Sequence, residues 1–290
     1  MSATSPLINR LAVIGVGLIG GSLARALRKA GAVGEIVGID RDGENLRRAR
    51  ELGVVDRCAA SAAEGVSGAD LVFISVPVCS ITDVVREIAP HLAPGTIITD
   101  GGSVKGDVVT ACEPLMPSGV HFVGGHPIAG TEHSGVEASF ASLYEGKRCI
   151  VTPTLHTDTA ALGTVVRMWE AAGSEVVVMD AAKHDRVVAA ISHLPHMVAY
   201  ALVNAVEGYD RFDEGILRYS AGGFRDFTRI ASSDPAMWRD IALMNRAGVI
   251  EMMDHFADYF LRLRALVAAG DAAGLEQFFR ESKESRDAIL

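Results

Sequence analysis

The stretch Leu11–Leu27, LAVIGVGLIGGSLARAL, decides the fold. Its first part, extended to Arg10–Val16, is an apolar run that reads as a buried strand and stops in glycines. Leu18–Ala30 then has the apolar spacing of a helix, with Gly31 as its stop. Between strand and helix lies G-x-G-x-x-G, with Gly15, Gly17 and Gly20 as its glycines and Val16, Leu18 and Ile19 between them. In that setting Gly15 permits the tight turn, Gly17 lets a pyrophosphate approach the backbone, and Gly20 lets helix pack on strand. The helix N-terminus at Leu18 and Ile19 offers unpaired N–H groups and partial positive charge to phosphate. Asp40 ends the next strand, twenty residues beyond Gly20, where a carboxylate accepts ribose hydroxyls. An acid there repels a 2′-phosphate, so NAD is the expected cofactor. Arg41, next along, softens that preference against NADP.

Outward from this unit the pattern repeats. Glu35–Asp40, Asp70–Val76, Thr96–Asp100, Arg148–Thr152 and Glu175–Met179 read as further strands, and Asp42–Leu52 as a charged helix ending at Gly53. Strands alternating with helices predict right-handed βαβ units and a mostly parallel sheet. Two strand ends fall at the carboxyl edge where open α/β sheets bind ligands. They are Ser75-Val76-Pro77 and the DGGSVK turn, Asp100 to Lys105. Ser75, Val76, Pro77, Asp100 and Gly102 are therefore assigned to cofactor binding. No strand signal follows residue 180. Ala181–Glu207 has helical spacing interrupted by Pro195, which should kink or break it. Pro235–Leu266 and Gly270–Ser285 read as two more helices. The predicted architecture is a doubly wound, Rossmann-type α/β domain over 1–179 followed by an all-α domain over 180–290.

Composition narrows the function. With 290 residues, two domains are expected, each large enough to bury its own core. Lys and Arg number 27 against 36 Asp and Glu, and that net acidity argues against a nucleic-acid partner. Cysteines 58, 79, 112 and 149 form no CxxC pair, so neither a zinc framework nor a redox motif is read, and scattered thiols fit a cytoplasmic protein. Leu11–Leu27 is broken by glycines, a serine and Arg25, so it is not read as a membrane span. The polar Met1–Asn9 does not read as a signal peptide.

Three further clusters carry chemistry. They are Gly124–Glu132 (GGHPIAGTE), Ser192–His196 (SHLPH), and Gly222–Ile230 (GGFRDFTRI) followed by Asp234-Pro235 and Trp238. His126 suits a proton acceptor, because neutral imidazole takes a proton near physiological pH. Arg229 suits carboxylate binding through its planar fork, with Arg225 as competitor. From Arg218 to Arg239, four arginines face two aspartates, a local net charge of +2 in an acidic chain. Histidines 91, 121, 133, 156, 184 and 255 show no metal-ligand spacing and read as surface or structural, and no metal is expected.

With DGGSVK ahead of them, these clusters resemble the prephenate dehydrogenase family, which includes the arogenate and cyclohexadienyl dehydrogenases of tyrosine biosynthesis. The resemblance runs from about Leu11 to Ile241. It implies NAD-dependent oxidative decarboxylation of prephenate, arogenate or both. It places the catalytic histidine at His126, with Ser103 near the same hydroxyl. Arg229 then binds a substrate carboxylate and His196 faces the substrate's side-chain end. Ser192, Thr131, Glu132 and Gly223 line the pocket. Asp226 and Trp238 fall in a region that, in the family, reaches the neighbouring subunit's site. A homodimer through the helical domain is implied. Two other readings stay open. A β-hydroxyacid dehydrogenase would use a lysine of the helical domain, but Lys183 and Lys283 sit in no matching motif. A dinucleotide sensor without catalysis would not need His126, His196 and Arg229 together. With the first strand close to the N-terminus and helices at the end, neither a fused mutase nor a regulatory domain is expected.

Overall fold

The computed structural model describes residues 5–131, 133–210 and 215–289. Eight strands form one sheet: β1 (Ile8–Ile14), β2 (Val33–Ile39), β3 (Arg57–Cys58), β4 (Leu71–Ile74), β5 (Ile97–Asp100), β6 (His121–Pro127), β7 (Arg148–Thr152) and β8 (Glu175–Val178). Their spatial order is β3-β2-β1-β4-β5-β6-β7-β8. Every neighbouring pair runs parallel except β6 and β7, where His126 lies opposite Ile150. Strand order reverses between β1 and β4, so the loops after these two strands diverge and leave a crevice between them. The helices of this part are α1 (Leu18–Lys29), α2 (Gly43–Glu51), α3 (Ala62–Val66), α4 (Ile81–Ile88), α5 (Gly106–Cys112) and α6 (Thr159–Ala171).

Two of these strands go beyond the sequence reading. The short β3 has little apolar signal. The central β6 is masked because its GGHP end looks like a loop. The glycines are there for close packing. A Cβ on Gly124 would meet Thr152 Oγ1 at 2.5 Å, and one on Gly125 would meet the Asp100 carbonyl at 2.9 Å.

The rest is helical: α7 (Ala181–Val188), α8 (Leu194–Asp210), α9 (Gly222–Thr228), α10 (Pro235–Met244), α11 (Arg246–Ala269) and α12 (Ala272–Asp287). Pro195 does not break the chain's helical path. A single π turn, Ala189–His193, precedes it and joins α7 to α8. Such a turn lets the path bend while remaining helical. The single helix predicted from Pro235 is two, divided at Asn245, whose φ −102° and ψ 37° lie outside the helical well. The continuous stretch Ala181–Tyr209 has the length and mean hydropathy (1.4) of a membrane span, unlike Leu11–Leu27. Three of its polar side chains, His184, Asp185 and His193, bond to other parts of the protein.

Apolar layers cover both faces of the sheet. Leu23 and Leu27 of α1 pack with Val165 and Trp169 of α6 on one face. Ile81 and Val85 of α4 pack with Val108 of α5 on the other, and Trp238 and Ile241 of α10 join that layer. The helical part thus shares a core with the sheet, which holds the two sides of the site in register.

Candidate active site

The crevice after β1 has the features a dinucleotide needs. Gly15 has φ +90°, and a Cβ on it would lie 2.5 Å from the Ser75 carbonyl. A Cβ on Gly20 would lie 2.2 Å from the Gly15 carbonyl, so α1 can start this close to the strand only with glycine there. Gly17, by contrast, faces open space. No side chain caps α1 and no acid lies in its first turn, so its leading N–H groups are available to an anion. Asp40 stands beside this turn. Its Oδ2 accepts from Val16 N–H (2.9 Å) and Asn45 Nδ2 (3.1 Å), and its Oδ1 from Asp42 N–H (3.0 Å). Arg41 is exposed. Across the crevice the Ser75 hydroxyl donates to the Gly15 carbonyl at 2.6 Å, with Val76 half-buried and Pro77 exposed. An anion cradle beside an oriented carboxylate fits NAD.

Asp100 and Gly102, assigned to cofactor binding from the sequence, are turned inward. Asp100 is fully buried, and its carboxylate takes the Lys105 ammonium, Gly102 N–H and Gly125 N–H. Lys105, also fully buried, donates to the Gly125 carbonyl as well, at 2.9 Å. A buried charge pair needs this degree of hydrogen bonding to offset its desolvation. Its effect is to clamp the DGGSVK turn to β6, one residue before His126.

His126 is oriented by a second clamp. Its Nδ1 lies 2.8 Å from His184 Nε2, and His184 Nδ1 lies 2.7 Å from Asp185 Oδ1. In the neutral form of His184 the proton sits on Nδ1, because the carboxylate only accepts, and Nε2 presents a lone pair. His126 must then donate from Nδ1, which leaves its own Nε2 as a free base. Asp185 is fixed in turn by Lys105 N–H at Oδ1 and Gly106 N–H at Oδ2, both 2.8 Å, at the start of α5. Those donors and the His184 bond hold its carboxyl low against the opposing effect of burial. Burial first, then the neighbouring His184, Lys105 and His193, push His126 well below the usual imidazole range, so it is neutral at pH 7. Ser103, on the turn just before Lys105, is partly exposed and bonds to no other described residue.

The helical side supplies the opposite wall. His196 donates from Nδ1 to the Ser192 carbonyl at 2.9 Å and stacks on Trp238, with ring centroids 3.5 Å apart. Burial and the charge of Arg229 both lower its pKa. Arg229 is exposed and follows α9 directly. His193 is buried against Trp238 edge to face and accepts from Asn245 Nδ2 at 3.2 Å. Arg225, Asp226 and Gly223 are exposed on α9, and Thr131 is exposed beyond β6. Glu132 lies outside the described residues. Among the described residues no group of His, Cys, Asp and Glu side chains could hold a metal ion.

Two family models cover most of the chain. Residues 23–178 match the nucleotide-binding domain of prephenate dehydrogenase, and residues 180–281 match its dimerization domain. The chain belongs to the prephenate dehydrogenase family. It is 40% identical to a cyclohexadienyl dehydrogenase of Zymomonas mobilis, over 96% of this chain and 95% of the relative. It is 39% identical to a prephenate dehydrogenase of Bacillus subtilis, over 95% of this chain and 74% of the relative. The crystal structure of prephenate dehydrogenase from Aquifex aeolicus with hydroxyphenyl propionate and NAD+ superposes with a TM-score of 0.93, at 38% identity and full coverage of both chains.

Two observations add to the sequence reading of this prephenate dehydrogenase fold. His184, read as surface or structural, is fully buried and touches His126. The available signal was its neighbour Asp185, an acid beside a histidine at the start of the helical region. Trp238, in a region that the resemblance places near a neighbouring subunit's site, is buried and stacks on its own chain's His196, where α10 packs into the sheet's core.

Proposed function

We propose that this chain oxidises prephenate to 4-hydroxyphenylpyruvate, or arogenate to tyrosine, with loss of carbon dioxide and reduction of NAD. The observation that carries this is the His126–His184–Asp185 hydrogen-bond chain beside a dinucleotide crevice. Bound NAD supplies the acceptor for the hydride from the ring carbon that bears the hydroxyl. His126 Nε2 takes the hydroxyl proton as that carbon becomes carbonyl-like. Ser103 orients the same hydroxyl. Arg229 binds a substrate carboxylate, and its guanidinium keeps its charge throughout. His196 faces the side-chain end. Loss of the ring carboxylate makes the ring aromatic, which drives the step forward. Gly17 and the first turn of α1 hold the pyrophosphate, and Asp40 the ribose.

The functional boundary between cofactor and helical domains falls at 179, between β8 and α7. Two copies pair through the helical domain, where α11 exposes Ile250, Met253, Phe256 and Phe260. A monomer in light scattering would overturn the pairing. Four free cysteines support a cytoplasmic setting. The decisive experiment follows NADH formation by the purified chain with prephenate and with arogenate. Turnover of either is expected. Folded protein that binds NAD and turns over neither refutes the reading.

A further inference from the structure

The chain that leaves β6 after His126 returns to the cofactor side of the molecule at Gly135 and Val136, and one side chain of α2 meets it there. Asn45 Oδ1 accepts from Val136 N–H at 3.0 Å. The same amide donates from Nδ2 to the Val16 carbonyl at 3.0 Å and to Asp40 Oδ2 at 3.1 Å. These partners fix its orientation. A flipped amide would set its oxygen against a carbonyl and a carboxylate, and its NH2 against an N–H. Asn45 is half-buried, and Val136 is buried in the layer that holds Leu23 and Leu27 of α1. Gly135 makes the joint at φ +83°, a conformation that favours glycine. Beyond the joint the chain is held independently of Asn45. Phe140 N–H donates to Ser22 Oγ at 3.1 Å, and Arg25 Nε to Ser139 Oγ at 2.9 Å. The pair of Arg48 with Glu137 is exposed and adds little in water.

A carboxylate has about four acceptor sites. In Asp40 three are taken, two on Oδ2 by Val16 N–H and Asn45 and one on Oδ1 by Asp42 N–H. A ribose diol brings two hydroxyls and finds one open site, so the second must take a place already filled. Val16 N–H and Asp42 N–H belong to backbone turns, whereas the Asn45 bond is made by a side chain and is the one that can yield. The N–H it frees is then available to the hydroxyl oxygen. We propose that Asn45 is a positioning residue that couples the two sides of the site. Ribose on Asp40 engages its Nδ2, and its Oδ1 then pins the Gly135–Val136 joint, so bound dinucleotide fixes the chain that follows the base. This rests on Asp40 holding the ribose, as proposed above. The glycine turn, the ribose carboxylate and the joint lie on separate parts of the chain, and Asn45 bonds to each.

Amide hydrogen exchange at Val136 reads the coupling with no substrate present. With NAD at about 100 times its Kd, an opening that releases the ribose contact is suppressed by up to about 100-fold. Exchange at Val136 in the wild-type chain should therefore slow by about tenfold or more. Adenosine diphosphate ribose, which has the same ribose and pyrophosphate but no nicotinamide, should slow it equally. In Asn45→Ala the nucleotide should still slow exchange at Leu18 and Ile19, while Val136 stays within about twofold of its nucleotide-free rate. Wild-type exchange at Val136 that NAD leaves unchanged overturns the proposal, and that measurement needs no variant. A folded Asn45→Ala that binds NAD and keeps the wild-type slowing overturns it too. Slowing by NAD but not by adenosine diphosphate ribose would trace the effect to the nicotinamide end and equally overturn it. The expected exchange pattern in a chain that turns over neither prephenate nor arogenate would refute the proposed function and leave the coupling standing.

Discussion

Asp185→Asn tests the chain that orients the base at its far end. The carboxylate takes three donors: His184 Nδ1–H and Lys105 N–H at Oδ1, and Gly106 N–H at Oδ2. An amide offers one oxygen and one NH2 group, so one side must face a donor with a donor. If the NH2 faces Gly106, a backbone hydrogen bond is lost. If it faces His184, that ring must accept at Nδ1 and shift its proton to Nε2. His126 must then accept at Nδ1 and carry its own proton on Nε2, and no base faces the substrate. In either orientation a charge-assisted bond to His184 becomes at best a neutral one. A hydrogen bond to a charged group is worth about 1.5–3 kcal/mol. Loss of that bias corresponds to a fall of roughly 10- to 150-fold in kcat. A serine-protease triad, whose aspartate touches the base directly, loses about 10⁴-fold; the intervening ring makes the smaller figure the expectation here. KM should stay close to wild type, because the Asp185 carboxylate is taken up by His184, Lys105 N–H and Gly106 N–H and acts on His126 only through His184. Initial rates of NADH formation at saturating substrate measure kcat, and a thermal melt checks the fold. A folded variant with kcat within about twofold of wild type would refute the tautomer reasoning.

Four other outcomes follow from the same geometry. His126→Asn should lower kcat by about 10²–10⁴-fold, and an unchanged kcat would remove His126 as base. Burial and its neighbours hold His126 well below 6.5, so kcat/KM should keep rising only below the ordinary imidazole range and be flat above it; an acid limb centred above that range contradicts the assignment. Arg229→Ala should mainly raise KM, since it removes carboxylate binding present in the ground state, and an unaltered KM would move that role to another cation. His193 sits at about 4 in the fold against 6.5 when free. The unfolded chain therefore binds the proton first. The stability from keeping this ring neutral is complete above about 6.5 and lost as pH falls toward about 4, on the order of 3 kcal/mol in all. Urea unfolding across that window should show the decline, and His193→Phe should flatten it; an equally steep decline in the variant would exclude His193 as its source.

How much of this was readable in advance depends on range. The β1–α1 unit was legible because its constraints are local: the turn at Gly15 and the close approach at Gly20 involve residues a few positions apart, or a backbone neighbour such as Ser75. The strand β6 was not, because its glycines answer to Thr152 and to the Asp100 carbonyl in two other strands. The Asp185–His184 pair was not for the same reason. Sequence spacing relates residues on one element, and His184 reaches His126 from 58 positions away. Asn245 is a third case. Nothing in the periodicity of 235–266 marks a break, because the break is made by bonds to the Asp185 carbonyl and to His193.

These long-range bonds converge on one consequence. The proposed base is not complete within the nucleotide-binding part, since β6 supplies His126 but α7 supplies the His184 and Asp185 that orient it. Asp185 also caps the start of α5 through two N–H groups, so the same carboxylate docks α7 on the sheet and sets the proton on His184. Any displacement of the helical part that breaks the Lys105 and Gly106 bonds must therefore release His184 as well. An ammonium buried fully at Lys105, one residue from the turn, would by itself repel a proton on His126. Its pairing with Asp100 moderates that field, while the remaining effect keeps His126 neutral and ready to accept. Docking of the helices, orientation of the base and its protonation state are thus set by one connected group of bonds. A catalytic histidine on a strand becomes a directional base only where the chain has folded back across it.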